Sequence, residues 1–137
     1  MSIFNVGFVI FPDLTQLDFT GPQQVLARLP QSAMHIVAKS AAPVPSDSGL
    51  SLLPTHTFEN CPRLDLICVP GGIAGVVQAI GDQETIEFVS TTVEHIKVCD
   101  FSMYWSVCSR GRWIADGAPR NHALGLYRIT ALGRRHA

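Results

Sequence analysis

Apolar runs of strand length alternate with amphipathic stretches along most of this chain. Asn5–Phe11 (NVGFVIF) is almost continuously apolar and rich in β-branched residues, the pattern of a strand buried on both faces. MHIVAKS (Met34–Ser40) predicts a second strand, and LDLICVPGG (Leu64–Gly72) a third buried strand stopped by Pro70-Gly71-Gly72. Between the first two, PDLTQLDFTGP (Pro12–Pro22) predicts a loop. PQQVLARL (Pro22–Leu29) then predicts a helix with Pro in its first turn and Val25, Leu26 and Leu29 on one buried face. GLSLLPTHTF (Gly49–Phe58) predicts one arm of a hairpin turning through PVPSDS. A helical stretch follows around Ala74–Ile80. Asp82–Lys97 then predicts a second helix, capped by Asp82 and buried along Ile86, Val89, Val93 and Ile96.

Strands alternating with helices predict an α/β domain with a mostly parallel sheet covered on both faces. Chemistry in such sheets lies beyond the carboxyl ends of the strands. Here those ends carry FPDLTQLDFTGP and VPGG. Neither GxGxxG nor GxxxxGK[ST] occurs, which argues against a nucleotide site.

At Lys97 the pattern stops. KVCDFSMYWSVC (Lys97–Cys108) has neither helical nor strand period, and beyond it only GLYRITALG (Gly125–Gly133) resembles a strand. Charge changes at the same place. Residues 1–97 hold four Lys/Arg and nine Asp/Glu, a balance of −5; residues 98–137 hold six Arg and two Asp, a balance of +4. Both Trp and both Tyr also lie in that tail. Its arginines follow no structural period, so the tail is read as a segment of different compositional origin and not as a nucleic-acid arm.

The 137 residues are 47% hydrophobic and 15% charged, enough for one domain with a substantial core. The apolar runs are too short to span a membrane, and the N-terminus lacks the basic region and cleavage site of a signal peptide. The expectation is a cytoplasmic protein with reduced cysteines (61, 68, 99, 108). Five histidines without HxxxH or HExxH spacing make a metal site unexpected. Cys68 is expected to be a buried small hydrophobe, Cys61 a loop thiol and His35 structural.

GFVIFPDLTQLDFTGPQQVLA followed by LDLICVPGG resembles the ThiJ/PfpI superfamily of class I glutamine-amidotransferase-like proteins. The Gln16–Pro22 segment, QLDFTGP, is most similar to the isocyanide hydratases. The resemblance covers residues 3–97. It implies a three-layer flavodoxin-like sandwich, here incomplete at its C-terminus, with residues 1–97 forming the N-terminal part of the domain and 98–137 an aberrant, poorly packed tail. The implied chemistry is hydration of an isonitrile to an N-formamide by a cysteine nucleophile, without a cofactor. Asp18 would be the pocket acid/base, Gly71 and Gly72 would supply backbone donors, and Thr20 and Gly21 would belong to the pocket loop. A small-molecule substrate and a homodimer are implied; nucleic-acid and membrane partners are not. The bland alternative for Asp18 is a solvated loop carboxylate or a local cap, and the whole QLDFTGP match favours the pocket role over it. The alternative function is a ligand-sensing domain related to AraC-type transcription regulators.

In the superfamily the nucleophile sits on a sharp strand-to-helix elbow reading roughly Val-Thr-Ser-Val-Cys-Thr-Gly-Ala. No such elbow follows Lys97. The genetic code supplies a reason. Met-Tyr must be encoded ATG-TAY, so reading one base later always yields the cysteine codon TGT. Tyr-Trp-Ser then gives Thr or Ile followed by Gly. Met103–Ser106 therefore overlaps Cys-(Thr/Ile)-Gly in the shifted frame, and allowed neighbouring codons extend this to Tyr-Val-Thr-Ser-Val-Cys-Thr-Gly-Ala-Phe. In the same frame, Arg120–Ala131 can encode Ala-Thr-Thr-His-Trp-Ala-Tyr-Thr-Glu-Leu-Leu-Pro, similar to the superfamily segment after the elbow helix. The expectation is a frameshift near Ile96–Lys97 and no nucleophile in the chain as written. Cys99 and Cys108 flank the lost position but lack the small-residue turn that would aim a thiolate.

Overall fold

A computed structural model describes residues 2–96, 98–101, 106–109 and 112–115, with only the backbone described from 98 onward. The first apolar run forms β1 (Phe4–Val9), whose Val6, Phe8 and Val9 are fully buried because the sheet is covered on both sides. Next come α1 (Gln16–Leu26), β2 (Ser32–Ala38), the short strands β3 (Val44–Pro45), β4 (Ser51–Leu52) and β5 (His56–Thr57), and then β6 (Leu66–Val69). The helices α2 (Ile73–Gly81) and α3 (Gln83–His95) precede three further strands: β7 (Val98–Phe101), β8 (Ser106–Ser109) and β9 (Arg112–Ala115).

Among the described residues the main sheet runs β5-β2-β1-β6-β7-β8-β9. The pairs β5/β2, β2/β1, β1/β6 and β6/β7 are parallel, and the last two pairs are antiparallel. From β1 the chain crosses one way to β2 through α1; from β6 it crosses the other way to β7 through α2 and α3. Crossovers between parallel strands are right-handed as a rule, which puts α1 on one face of the sheet and the α2/α3 pair on the other. The α/β three-layer expectation is met. No helix among the described residues is long and apolar enough to cross a membrane.

Three expectations change. The segment from Gln16 is helix, not loop: α1 starts six residues before Pro22 and carries that proline inside it. A proline usually marks a first turn because it cannot donate to the preceding turn. Here the apolar anchors on either side outweigh that preference. Phe19 and Pro22 are buried, and the Phe19 ring meets Phe8 edge-on at 5.5 Å. Consequently Val25 and Leu29 are not the buried face; they are 64% and 43% exposed. Finally, backbone ladders continue past Lys97. The open edge of β6 presents unpaired amides and carbonyls, and Val98–Phe101 pairs with it in register from Leu66↔Val98 to Val69↔Phe101. Gly125–Gly133 lies outside the described residues.

The other elements follow the apolar pattern. The hairpin closes as β3/β4 with Val44 opposite Leu52. Val89 of α3 is buried, Val93 and Ile96 pack at the core's edge, and Phe88 stacks on Phe58 with ring centroids 4.5 Å apart. Fully burying a side chain such as Val89 stabilises the fold by roughly 1.5–3 kcal/mol, and the partly buried ones contribute less. The α3 N-cap, Asp82, accepts the Thr85 hydroxyl at 2.6 Å and the Lys39 ammonium at 2.8 Å, tying the end of β2 to the helix start.

His35 is structural. Its Nε2–H donates to Asn5 Oδ1 at 2.9 Å, while the buried Nδ1 has no hydrogen-bond partner. Burial, and secondarily the neighbouring His56 ring at 4.9 Å, pushes the His35 pKa below its ordinary 6.5. On acidification the unfolded chain takes up this proton before the folded one does. The His35 contribution is therefore complete above 6.5 and is lost as pH falls from there through the lowered folded value. The thermal midpoint should fall between about pH 7.5 and pH 5.5, and the fall should be smaller in His35→Gln.

Candidate functional site

The site is built on the carboxyl ends of β1 and β6, and its scaffold is a clamp on three residues, Asp13–Thr15. Gly72, at φ 143°, occupies a backbone region that favours glycine. A Cβ there would lie 2.8 Å from Asp13 O, and one on Gly75 in the first turn of α2 would lie 2.5 Å from the same oxygen. The PGG turn thus presses directly on the β1–α1 connection. Thr15 N–H donates to Gly71 O at 2.9 Å, fixing the contact. From the other side the β3–β4 hairpin grips the same residues. Asp13 N–H donates to Pro45 O at 2.9 Å, Asp47 N–H to Leu14 O at 3.0 Å, and the Thr15 hydroxyl to Asp47 Oδ2 at 2.9 Å.

Asp18 projects from the first turn of α1, immediately after this clamp. Its amide donates to Thr15 O at 3.0 Å, and the Gly71 amide donates to its side chain. Partial burial raises its pKa, the Gly71 hydrogen bond opposes the rise, and the negative charge of Asp47 adds to it. A carboxyl with raised proton affinity beside a glycine-rich turn can act as a general acid. The Gly71 amide therefore serves Asp18, and its carbonyl serves Thr15. Gly72 contributes the close approach, and its carbonyl accepts Val76 N–H at 2.8 Å.

Thr20 and Gly21 lie within α1 and not in a loop. The Thr20 hydroxyl accepts from Gln16 Nε2 at 2.6 Å and donates to Gln16 O at 3.2 Å, so its hydrogen bonds stay within the helix. Cys68 is buried in β6. Cys61 is half-buried, its Sγ donates to Pro62 O at 3.4 Å, and burial pushes its thiol up to about 11, which keeps it protonated and a poor nucleophile. The side chains of Cys99 and Cys108, and all of Met103 and Tyr104, where the shifted-frame cysteine would fall, lie outside the described residues.

A separate cavity of about 530 Å³ opens between the ends of β1 and β2, the hairpin and the α2/α3 pair, with Phe11, Val44, Gln78 and Asp82 on its walls; Asp18 does not line it. Among the described residues no group of three or more His, Cys, Asp or Glu could hold a metal ion. Asp47 and Thr15 were not singled out in the sequence. An aspartate in PSDSG reads as an ordinary turn former, and nothing local reveals that its carboxylate reaches the start of a helix.

Known proteins place this arrangement. An isonitrile hydratase from Pseudomonas putida is 54% identical over 85 residues, covering 62% of this chain and 37% of the relative. The chain thus spans little more than a third of that relative's length. A solved ThiJ/PfpI family protein from Pseudomonas syringae superposes with a TM-score of 0.71 at 35% identity, over 74% of this chain and 42% of that one. A two-domain protein from Anabaena variabilis, with DJ-1/ThiJ/PfpI-like and ferritin-like domains, shares the fold at a TM-score of 0.63 and 18% identity, over 72% of this chain and 29% of that one. The model of the DJ-1/PfpI family matches residues 5–100, and the chain belongs to that family.

Proposed function

We propose that residues 3–97 are the N-terminal part of an isonitrile hydratase, a carbon–nitrogen lyase, and that this chain is inactive because its nucleophile is encoded one base out of frame. What supports the catalytic assignment is the place of Asp18 in the first turn of α1, beside the 70–72 turn at the carboxyl end of the sheet, with its amide bonded to Thr15 O. The 54% identity to an isonitrile hydratase over 85 residues supports the substrate class. The family match ends at residue 100, where the elbow would begin, which supports the frameshift.

In the intact reaction a cysteine thiolate forms a C–S bond to the terminal isonitrile carbon, and Asp18 delivers a proton to that carbon, giving a thioimidate. Water then adds to the same carbon, one of its protons passing to the nitrogen and the other returning to Asp18 as the C–S bond breaks. The net change is addition of one water to give the N-formamide, with the thiolate regenerated and no cofactor consumed.

The 137-residue chain should show no turnover of an aryl isonitrile, and restoring the frame by one nucleotide should create activity. Asp18→Asn in the restored protein should lower the rate by roughly 10²–10⁴-fold. Formamide production followed by chromatography provides the readout. Turnover by the original chain that disappears in Cys99→Ser or Cys108→Ser would contradict the inactive reading. A folded, active restored enzyme indifferent to Asp18→Asn would contradict the acid assignment.

A further inference from the structure

The cavity at the carboxyl ends of β1 and β2 is not lined by Asp18, and no step of the proposed hydration uses it. Its volume of about 530 Å³ lies within the range of pockets that take small organic ligands. Five of its lining residues, Ile10, Phe11, Ala38, Val44 and Thr85, are buried. Four of them are apolar, and the Thr85 hydroxyl donates to Asp82 Oδ2 at 2.6 Å, so the depth of the cavity presents no unpartnered polar side chain. Its walls are held in place. Prolines 12, 43 and 45 stand in them with φ fixed by their rings, and the Asp13 N–H bond to Pro45 O ties the hairpin wall to the β1 wall. On the third side Gly75 brings α2 so close that a Cβ would lie 2.7 Å from Pro12 O, so that wall cannot move inward without displacing backbone. The cavity is preformed.

The polar lining residues are at least partly exposed and stand at the mouth. Lys39 is already paired there, with Asp82 Oδ1 at 2.8 Å and Glu84 Oε1 at 3.4 Å. One ammonium and two carboxylates leave this side of the mouth net negative, which disfavours an anion. An added cation would have to compete with Lys39 for the same carboxylates. The side chains of Ser40 and Gln78, by contrast, make no hydrogen bond among the described residues. The Gln78 carboxamide offers both a donor and an acceptor, the complement of another carboxamide.

We propose that this cavity is a second ligand site, for a neutral molecule with a ring-sized apolar body and one carboxamide group: the body fills the apolar depth and the amide pairs with Gln78 at the mouth. The site is independent of the isonitrile hydratase reading. The test is titration of the full 137-residue chain with three probes that share one body: 2-naphthamide, 2-naphthoate and 2-naphthylmethylammonium. Calorimetry gives the affinity and backbone amide shifts give the place. 2-Naphthamide should bind saturably and move the amide signals of Phe11, Ala38 and Ala79, and both charged probes should bind roughly tenfold more weakly or worse. Gln78→Leu should weaken the amide by roughly 3–10-fold. Ala42→Trp and, separately, Gln78→Trp place a bulky ring at exposed positions of the mouth and should abolish binding. Val25→Ser, which removes an exposed apolar side chain from α1, should leave it unchanged. Absence of saturable 2-naphthamide binding to the folded chain overturns the proposal, as does a charged probe that binds equally well. So does an unchanged affinity in Gln78→Leu, or a loss in Val25→Ser as large as in Gln78→Trp, which would mark adsorption to exposed apolar surface.

Discussion

The structure depends on how closely the Pro70-Gly71-Gly72 turn approaches the connection after β1. Two glycines, 72 and 75, remove the Cβ atoms that would otherwise strike the Asp13 carbonyl, and Thr15 N–H to Gly71 O locks the approach. That contact sets the direction in which α1 leaves β1 and therefore where Asp18 points. It also gives the hairpin a rigid rail to grip. A larger residue at Gly75 would have to displace backbone on both sides, a cost that falls first on the site and only then on the core, since β1 is held independently by β2 and β6.

Much of this was legible in the chain because burial on both faces leaves an unmistakable mark. NVGFVIF and LDLICV contain almost nothing but apolar residues, and both form central strands. The α3 helix and its Asp82 start were equally readable, since an amphipathic helix with a polar start needs no tertiary information, although of the expected stripe only Val89 is fully buried and Ile86 stays outside the core. The start of α1 was not. Pro22 suggested a first turn, and only the packing of Phe19 on Phe8 makes a helix beginning at Gln16 worthwhile. Asp18 was singled out by its motif, but its setting in a helical turn was not anticipated. Asp47 carried no signal, because its partner lies 32 residues away in sequence and only the hairpin bridges them.

The C-terminal part teaches a different lesson. Val98–Phe101 pairs with β6 although its sequence is unpatterned, because a strand edge offers hydrogen bonds to almost any extended backbone. Backbone pairing alone is therefore weak grounds for assigning function to these residues. The proposed hydration needs a cysteine aimed by a small-residue elbow, and the residues from Lys97 onward supply cysteines without that turn in their sequence. The clamp, the glycine turn and Asp18, on which the proposed reaction rests, all lie within residues 2–96.

The central claim is that the scaffold and its nucleophile are encoded in different frames of one gene. Sequencing the coding DNA from codon 96 to the end of the chain tests it most directly. The account predicts that reading one base later from about codon 98 gives Val-Thr-Ser-Val-Cys-Thr-Gly-Ala and stays open through the codons for Arg120–Ala131, yielding Ala-Thr-Thr-His-Trp-Ala. A stop codon in that frame between the overlapping Met103-Tyr104 codons and Ala131, or codons there that spell no such elbow, would contradict it.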